Sequence, residues 1–196
     1  MGLLKILVAS ALCVGSVTAA SAQTIQMPDF QAAPMEHDWD SYPFSLKYSD
    51  GRTLTSEELR GKMVFIKAWA SWCAPCKPSL PKFAPLYQKH IGNPDVKVLS
   101  VHFSDRHGRF DSAGEILASK GLYYPVLEDP DGELVKTIGK TTASFGVPHY
   151  VLMDGTGKII SRYGEINDKV ILDVENKFRQ HSRAARRAAN LAYQNP

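Results

Sequence analysis

Residues 63–70 run Met-Val-Phe-Ile-Lys-Ala-Trp-Ala, apolar throughout except at Lys67. A stretch this short and this apolar is expected as a central strand covered on both faces. It leads through Ser71 and Trp72 into Cys73-Ala74-Pro75-Cys76. Two cysteines, two residues apart, therefore fall where a buried strand gives way to a helix, and they can close a small disulfide ring at the helix start. There Cys73 would meet free backbone N–H groups and the positive end of the helix dipole, which favour the nucleophilic thiolate. Cys76, one turn further in, would be more buried and able to attack a mixed disulfide formed at Cys73, with Pro75 limiting the backbone between them. Redox exchange is the chemistry this spacing suits. A structural staple would close only a tiny loop and constrain the unfolded chain little. A zinc half-site would need two more ligands, for which His102 and His107 are the one histidine pair close in sequence. No metal and no cofactor are expected.

The first residues carry one basic side chain, Lys5, an apolar run over 6–17, and Ala20-Ser21-Ala22 before Gln23. This predicts a signal peptide over 1–22, too short in its apolar core for a membrane span. Cys13 lies inside it, and Ser10, Ala11 and Leu12 before it do not form a lipoprotein cleavage box. Removing 22 of 196 residues leaves 174, enough for one domain. Loss of Lys5 takes the net charge from +3 to +2, too near neutrality to suggest nucleic acid. The charge is uneven, because 176–196 holds Lys177, Arg179, Arg183, Arg186 and Arg187 and no acid. That basic extension reads either as an exposed helix whose charges suit its C-terminus, or as a means of holding an acidic partner or an anionic membrane surface.

Between these ends, 23–42 reads as a flexible leader with order beginning near Pro43. A strand over 44–48, a turn at 49–52 and a short helix over 57–60 precede the 63–70 strand. The chain after Cys76 is expected to be helical to about His90, with Pro81 and Pro85 too deep to be tolerated without a kink or break. A second buried strand over 96–103, a helix over 111–120, a strand over 124–127, a turn at Asp129-Pro130-Asp131-Gly132 and a short helix to Gly139 follow. Strands over 150–153 and 159–163 flank Asp154-Gly155-Thr156-Gly157, a hairpin signal, and Asn167 can cap a last helix. The order is α/β in the middle with an antiparallel pair at the end.

With Val64 to Cys76, Pro81 five residues on, and Gly146-Val147-Pro148 before a strand, the sequence resembles the thioredoxin superfamily. Within it, the likeness is to the exported branch of TlpA-like, ResA-like and cytochrome c maturation thioredoxins, and it covers about 43–165. The resemblance implies a thioredoxin-like α/β fold: a central mixed β-sheet flanked by helices, an N-terminal β-hairpin, and a central βα insertion over 105–139. The domain would span 43–175. It further implies Cys73 as nucleophile and Cys76 as resolving thiol, a cis peptide before Pro148, and a substrate-docking edge made by Trp72, Val147 and Pro148. Trp69 is expected in the core, and Pro81 as the family's helix-kinking proline.

Two positions depart from the family. The buried acid six residues before the first cysteine is replaced by Lys67, and the glutamate many exported relatives carry three residues after the second cysteine is replaced by Ser79. Lys67 is the redox-tuning candidate: a neutral base if burial depresses its pKa, a cation that stabilises a Cys76 thiolate, or an ammonium that snorkels to water. His149 is expected as a partly exposed strand residue, His102 and His107 as members of a solvated loop. The resemblance implies a periplasmic, monomeric protein thiol:disulfide oxidoreductase leaning to reductase. It would act on exported protein thiols or disulfides and be kept reduced by a membrane thiol donor such as a DsbD-like protein. A disulfide-donating oxidase, and a non-enzymatic chaperone or binding module on the same fold, are the alternatives.

Overall fold

The computed structural model describes residues 38–40, 43–103, 113–139 and 146–194. The chain divides into two compact units, Met1–Phe30 and Gln31–Pro196, and the description concerns the second. The expected signal peptide with Cys13, most of the leader, His107 and the start of the insertion lie outside the described residues.

Seven strands form one mixed sheet: β1 (Ser45–Tyr48), β2 (Thr53–Thr55), β3 (Met63–Trp69), β4 (Val96–Phe103), β5 (Leu127–Asp129), β6 (His149–Met153) and β7 (Ile159–Tyr163). Their order across the sheet is β2-β1-β5-β4-β3-β6-β7. β4 runs parallel to both β3 and β5, whereas β6 pairs antiparallel with β3 and with β7. β1 and β2 form the N-terminal hairpin, which joins the sheet through β5. Every residue of β3 is buried, Lys67 included, in a strand that is otherwise apolar and has neighbours on both edges.

The helices are α1 (Leu80–His90), α2 (Ala113–Ala118), α3 (Glu133–Gly139) and α4 (Asp168–Gln194). The expected helix after the cysteines is instead a 3-10 turn over Ala74–Ser79 followed by α1. The change of helix type places Pro81 in the first turn of α1, where its missing N–H has no partner to lose, while Pro85 lies inside the helix. β5 starts three residues later than expected, because Pro125 offers no N–H to a ladder. Asn167 Oδ1 caps α4 by accepting the Val170 N–H at 3.0 Å.

Both edges of the expected domain shift outward. Trp39 falls in the stretch read as a flexible leader, yet it is fully buried: its N–H donates to the Thr156 carbonyl at 3.0 Å and its ring packs against Gly157. At the other end α4 continues without a break past 175, and Phe178 is buried in the core beside Val174.

Candidate functional site

β3 ends at Trp69 and delivers Cys73 as the residue that caps the 3-10 turn. Cys73 and Cys76 are joined as a disulfide, with Cα atoms 5.3 Å apart. Cys73 is 2% exposed and Cys76 fully buried, so the expected contrast between an open and a closed cysteine is slight in the oxidised form. The accessible surface at this point belongs to their neighbours: Trp72 is 53% exposed, and Ala74 and Pro75 lie open beside it. Trp72 rests edge-on against Phe103 at the end of β4, with ring centres 5.9 Å apart.

The chain returns to the cysteines just before β6. The Val147–Pro148 peptide is cis, and the Val147 carbonyl oxygen lies 3.5 Å from Cys73 Sγ. Trp72, Cys73, Val147 and Pro148 are thus brought together from segments more than seventy residues apart. A partner chain laid along this edge would meet the outer sulfur and the backbone at Val147 at once.

Behind the disulfide, Lys67 is fully buried in β3. It does not snorkel: its Nζ donates to Ser79 Oγ at 2.9 Å and lies 5.7 Å from the centre of the Phe83 ring. Ser79 Oγ donates in turn to the Cys76 carbonyl at 2.6 Å. The two positions at which the family's acids are missing are therefore joined to each other and to the inner cysteine. Burial pushes the Lys67 ammonium down to about 7, so the amine can hold or release a proton near neutral pH.

His102 corrects the expectation of a solvated loop residue. It lies on β4, opposite Trp69 in the ladder, and is 1% exposed. Its Nε2 accepts the Ser71 N–H at 3.2 Å and its Nδ1 meets Glu128 Oε2 at 2.9 Å. An Nε2 that accepts must be unprotonated, so Nδ1 carries the hydrogen and donates to the carboxylate. The imidazole thereby fixes the loop that leads into Cys73. One sequence signal for this role is a histidine near the end of a largely apolar strand; its partners come from two distant segments. Trp69 lies in the core and donates from Nε1 to Ser100 Oγ at 2.9 Å. His149 is half-buried and accepts from Arg162 Nη1 at 2.9 Å, and burial followed by the Arg162 charge lowers its pKa. Asp129 is also buried: its carboxylate accepts the N–H groups of Glu133 and Val135 and so caps α3.

A thioredoxin-like fold carrying a disulfide at the start of the segment after its central strand defines the class, and sequence comparison agrees. The chain belongs to the Redoxin family, whose profile matches residues 22–177. It is 26% identical over 138 residues to the thiol-disulfide oxidoreductase ResA of Bacillus subtilis, covering 70% of this chain and 73% of that one. It is 33% identical over 120 residues to the thiol:disulfide interchange protein HelX of Rhodobacter capsulatus, covering 60% of this chain and 61% of HelX. Among solved structures, the exposed lipoprotein thioredoxin Etrx1 of Streptococcus pneumoniae superposes with a TM-score of 0.55 at 30% identity, over 69% of this chain and 99% of that one. StoA of Bacillus subtilis superposes with a TM-score of 0.57 at 23% identity, over 68% and 96%, a likeness of fold. The chain is a thiol:disulfide oxidoreductase of the ResA and HelX type.

Proposed function

We propose that this oxidoreductase is exported through its N-terminal signal peptide to the periplasm, where it works as a monomer that reduces disulfides in other exported proteins through Cys73 and Cys76. The Cys73 thiolate attacks a substrate disulfide, forming a mixed disulfide and releasing one substrate thiol. The Cys76 thiolate then attacks Cys73 Sγ, releasing the second substrate thiol and closing the Cys73–Cys76 bond. Two electrons pass to the substrate in each turn, and a membrane thiol donor such as a DsbD-like protein returns them. Trp72, Val147 and Pro148 form the docking edge. The observation that carries this reading is the Val147 carbonyl beside Cys73 Sγ at 3.5 Å, since an extended substrate paired with that backbone would present its sulfur at Cys73. No helix among the described residues is long and apolar enough to cross a membrane.

The experiment is acid trapping and thiol alkylation in cells together with the reduction potential in vitro. A pair held mostly reduced, with a low potential, supports the donor-fed reductase. A Cys73→Ser variant that retained the activity would point to a chaperone or binding module instead.

One observation favours the second reading, a disulfide-donating oxidase. The Lys67 amine sits behind Cys76, and in its protonated form it would favour a Cys76 thiolate and so stabilise the dithiol. A stabilised dithiol makes the disulfide a stronger oxidant. A pair trapped mostly oxidised, with a high potential, would establish it.

A further inference from the structure

At the end of α1 away from the cysteines, α4 parts from the body of the protein. Val170, Val174 and Phe178 follow one stripe of α4 against the core, and the next position on that stripe is Ser182, a hydroxyl in place of an apolar group. Around it lies a pocket of about 200 Å³ lined by Phe178 and by His90, Asn93, Arg179, Ser182, Arg183 and Arg186. Positions 179, 182, 183 and 186 share one helix face.

Two covered polar atoms in this pocket lack a partner. His90 Nε2 and Ser182 Oγ are covered and have no hydrogen-bond partner among the described residues, a condition native structures seldom leave unexplained. Asn93 Oδ1 accepts the Asp95 N–H at 3.0 Å, which leaves its amide NH2 as a donor. Arg183 and Arg186 form no ion pair among the described residues; Arg179 bonds only the neutral Asn176 Oδ1. Glu175, the carboxylate facing His90, is engaged by Lys89 Nζ at 2.6 Å. No acidic residue follows it in the chain.

Three arginines, a histidine, an asparagine and a serine thus line a space whose one facing carboxylate, Glu175, is already paired with Lys89. A carboxylate has two oxygens and would leave several donors unmet. A phosphoryl group presents more oxygens in a tetrahedral array, and the planar guanidinium fork matches it. We propose that this pocket binds a phosphoryl oxyanion, supplied as free phosphate or as the headgroup of a lipid.

Inorganic phosphate titrated into the oxidised full chain, at constant ionic strength against chloride, tests this through the His90 ring resonances. The expected result is a saturable shift, weakened about tenfold in Arg183→Gln and a few-fold in Ser182→Ala, with disulfide reduction unchanged in both as a control for folding. No saturable shift up to about 0.1 M phosphate, or equal binding by the wild type and Arg183→Gln, overturns the proposal. Sedimentation with vesicles of phosphatidylcholine alone, or mixed equally with phosphatidylglycerol, separates the sources. Binding to the mixed vesicles that phosphate competes and Arg183→Gln abolishes assigns the headgroup. Phosphate binding without vesicle binding assigns the free ion. Vesicle binding indifferent to both, with no His90 shift, is diffuse attraction to a basic helix and overturns the pocket.

Discussion

Lys67 Nζ donates to Ser79 Oγ at 2.9 Å inside the protein, and the same oxygen donates to the carbonyl of Cys76 at 2.6 Å. A titratable amine on the central strand is thereby tied to the backbone of the inner cysteine, at the place where relatives would carry an acid. Its position makes two separable demands, one on stability and one on redox poise.

Stability of the oxidised protein should rise with pH between about 7 and 9.5. Burial lowers the folded pKa of Lys67 from 10.5 to about 7, so in this window the unfolded chain holds a proton that the folded chain has released. The penalty of burying the ammonium is full below the folded pKa and gone above the unfolded one. At about 1.4 kcal/mol per pKa unit, it amounts to a few kcal/mol. Urea unfolding of the oxidised form, whose cysteines do not titrate, should show this slope, and Lys67→Met should flatten it. Above pH 10 the buried Tyr124 and the half-buried Tyr163, whose pKa values burial raises, act in the opposite sense. Equal slopes in both proteins would mean that Lys67 keeps its charge on folding.

Lys67→Glu should lower the reduction potential of the Cys73–Cys76 pair, by about 30 mV for each 1.4 kcal/mol of dithiol stabilisation lost. The difference from wild type should be larger at pH 6 than at pH 8, because the wild-type amine is charged below its pKa of about 7. Equilibration against glutathione at the two pH values measures it. Equal potentials would remove Lys67 from redox tuning.

His102→Phe should cost about 1–3 kcal/mol, since the Ser71 N–H loses its acceptor in a buried setting. Glu128→Gln should cost less than about 1 kcal/mol, because that carboxylate is 35% exposed. Thermal unfolding distinguishes the two. If His102 also positions the cysteines, His102→Phe will lower the rate of disulfide exchange measured well below its melting temperature.

Trp72→Ala should leave stability within about 0.5–1 kcal/mol of wild type, because the ring is half exposed and touches the fold chiefly at Phe103. The same change should raise KM for a protein substrate with little effect on the reduction potential. Steady-state reduction of a folded disulfide protein would show it, and an unchanged KM would exclude Trp72 from docking.

Phe178→Ala should cost about 3–5 kcal/mol, as expected for a buried aromatic side chain. Truncation before Phe178 should unfold or severely weaken the protein, whereas truncation after Ala185 should leave its melting temperature almost unchanged. Calorimetry of both truncated chains checks where the cooperative unit ends.

Much of the architecture was legible because its causes are local. The apolar run at β3, broken only by Lys67, the Asp154 to Gly157 hairpin and the Asn167 cap each act over a few residues. The cysteine spacing indicated a small ring at a strand end in the same way. Pro81 was misplaced in depth because a proline signals a break without saying which kind of helix precedes it. Trp39 reads as part of a leader because its pocket is made by a hairpin more than a hundred residues later. His102 was missed for a similar reason: Ser71 and Glu128 become its neighbours only when β3, β4 and β5 align.

The sequence by itself determined the α/β order, the cysteine pair and the substitution of Lys67 and Ser79 for the expected acids, since these are matters of residue type, spacing and local backbone preference. Tertiary structure alone decided that Lys67 is sealed from water and joined to Ser79, that Val147 reaches Cys73, and that three arginines share a pocket with His90. Desolvation and hydrogen bonding depend on what the rest of the chain places within a few ångströms, and periodicity along one segment carries no information about that.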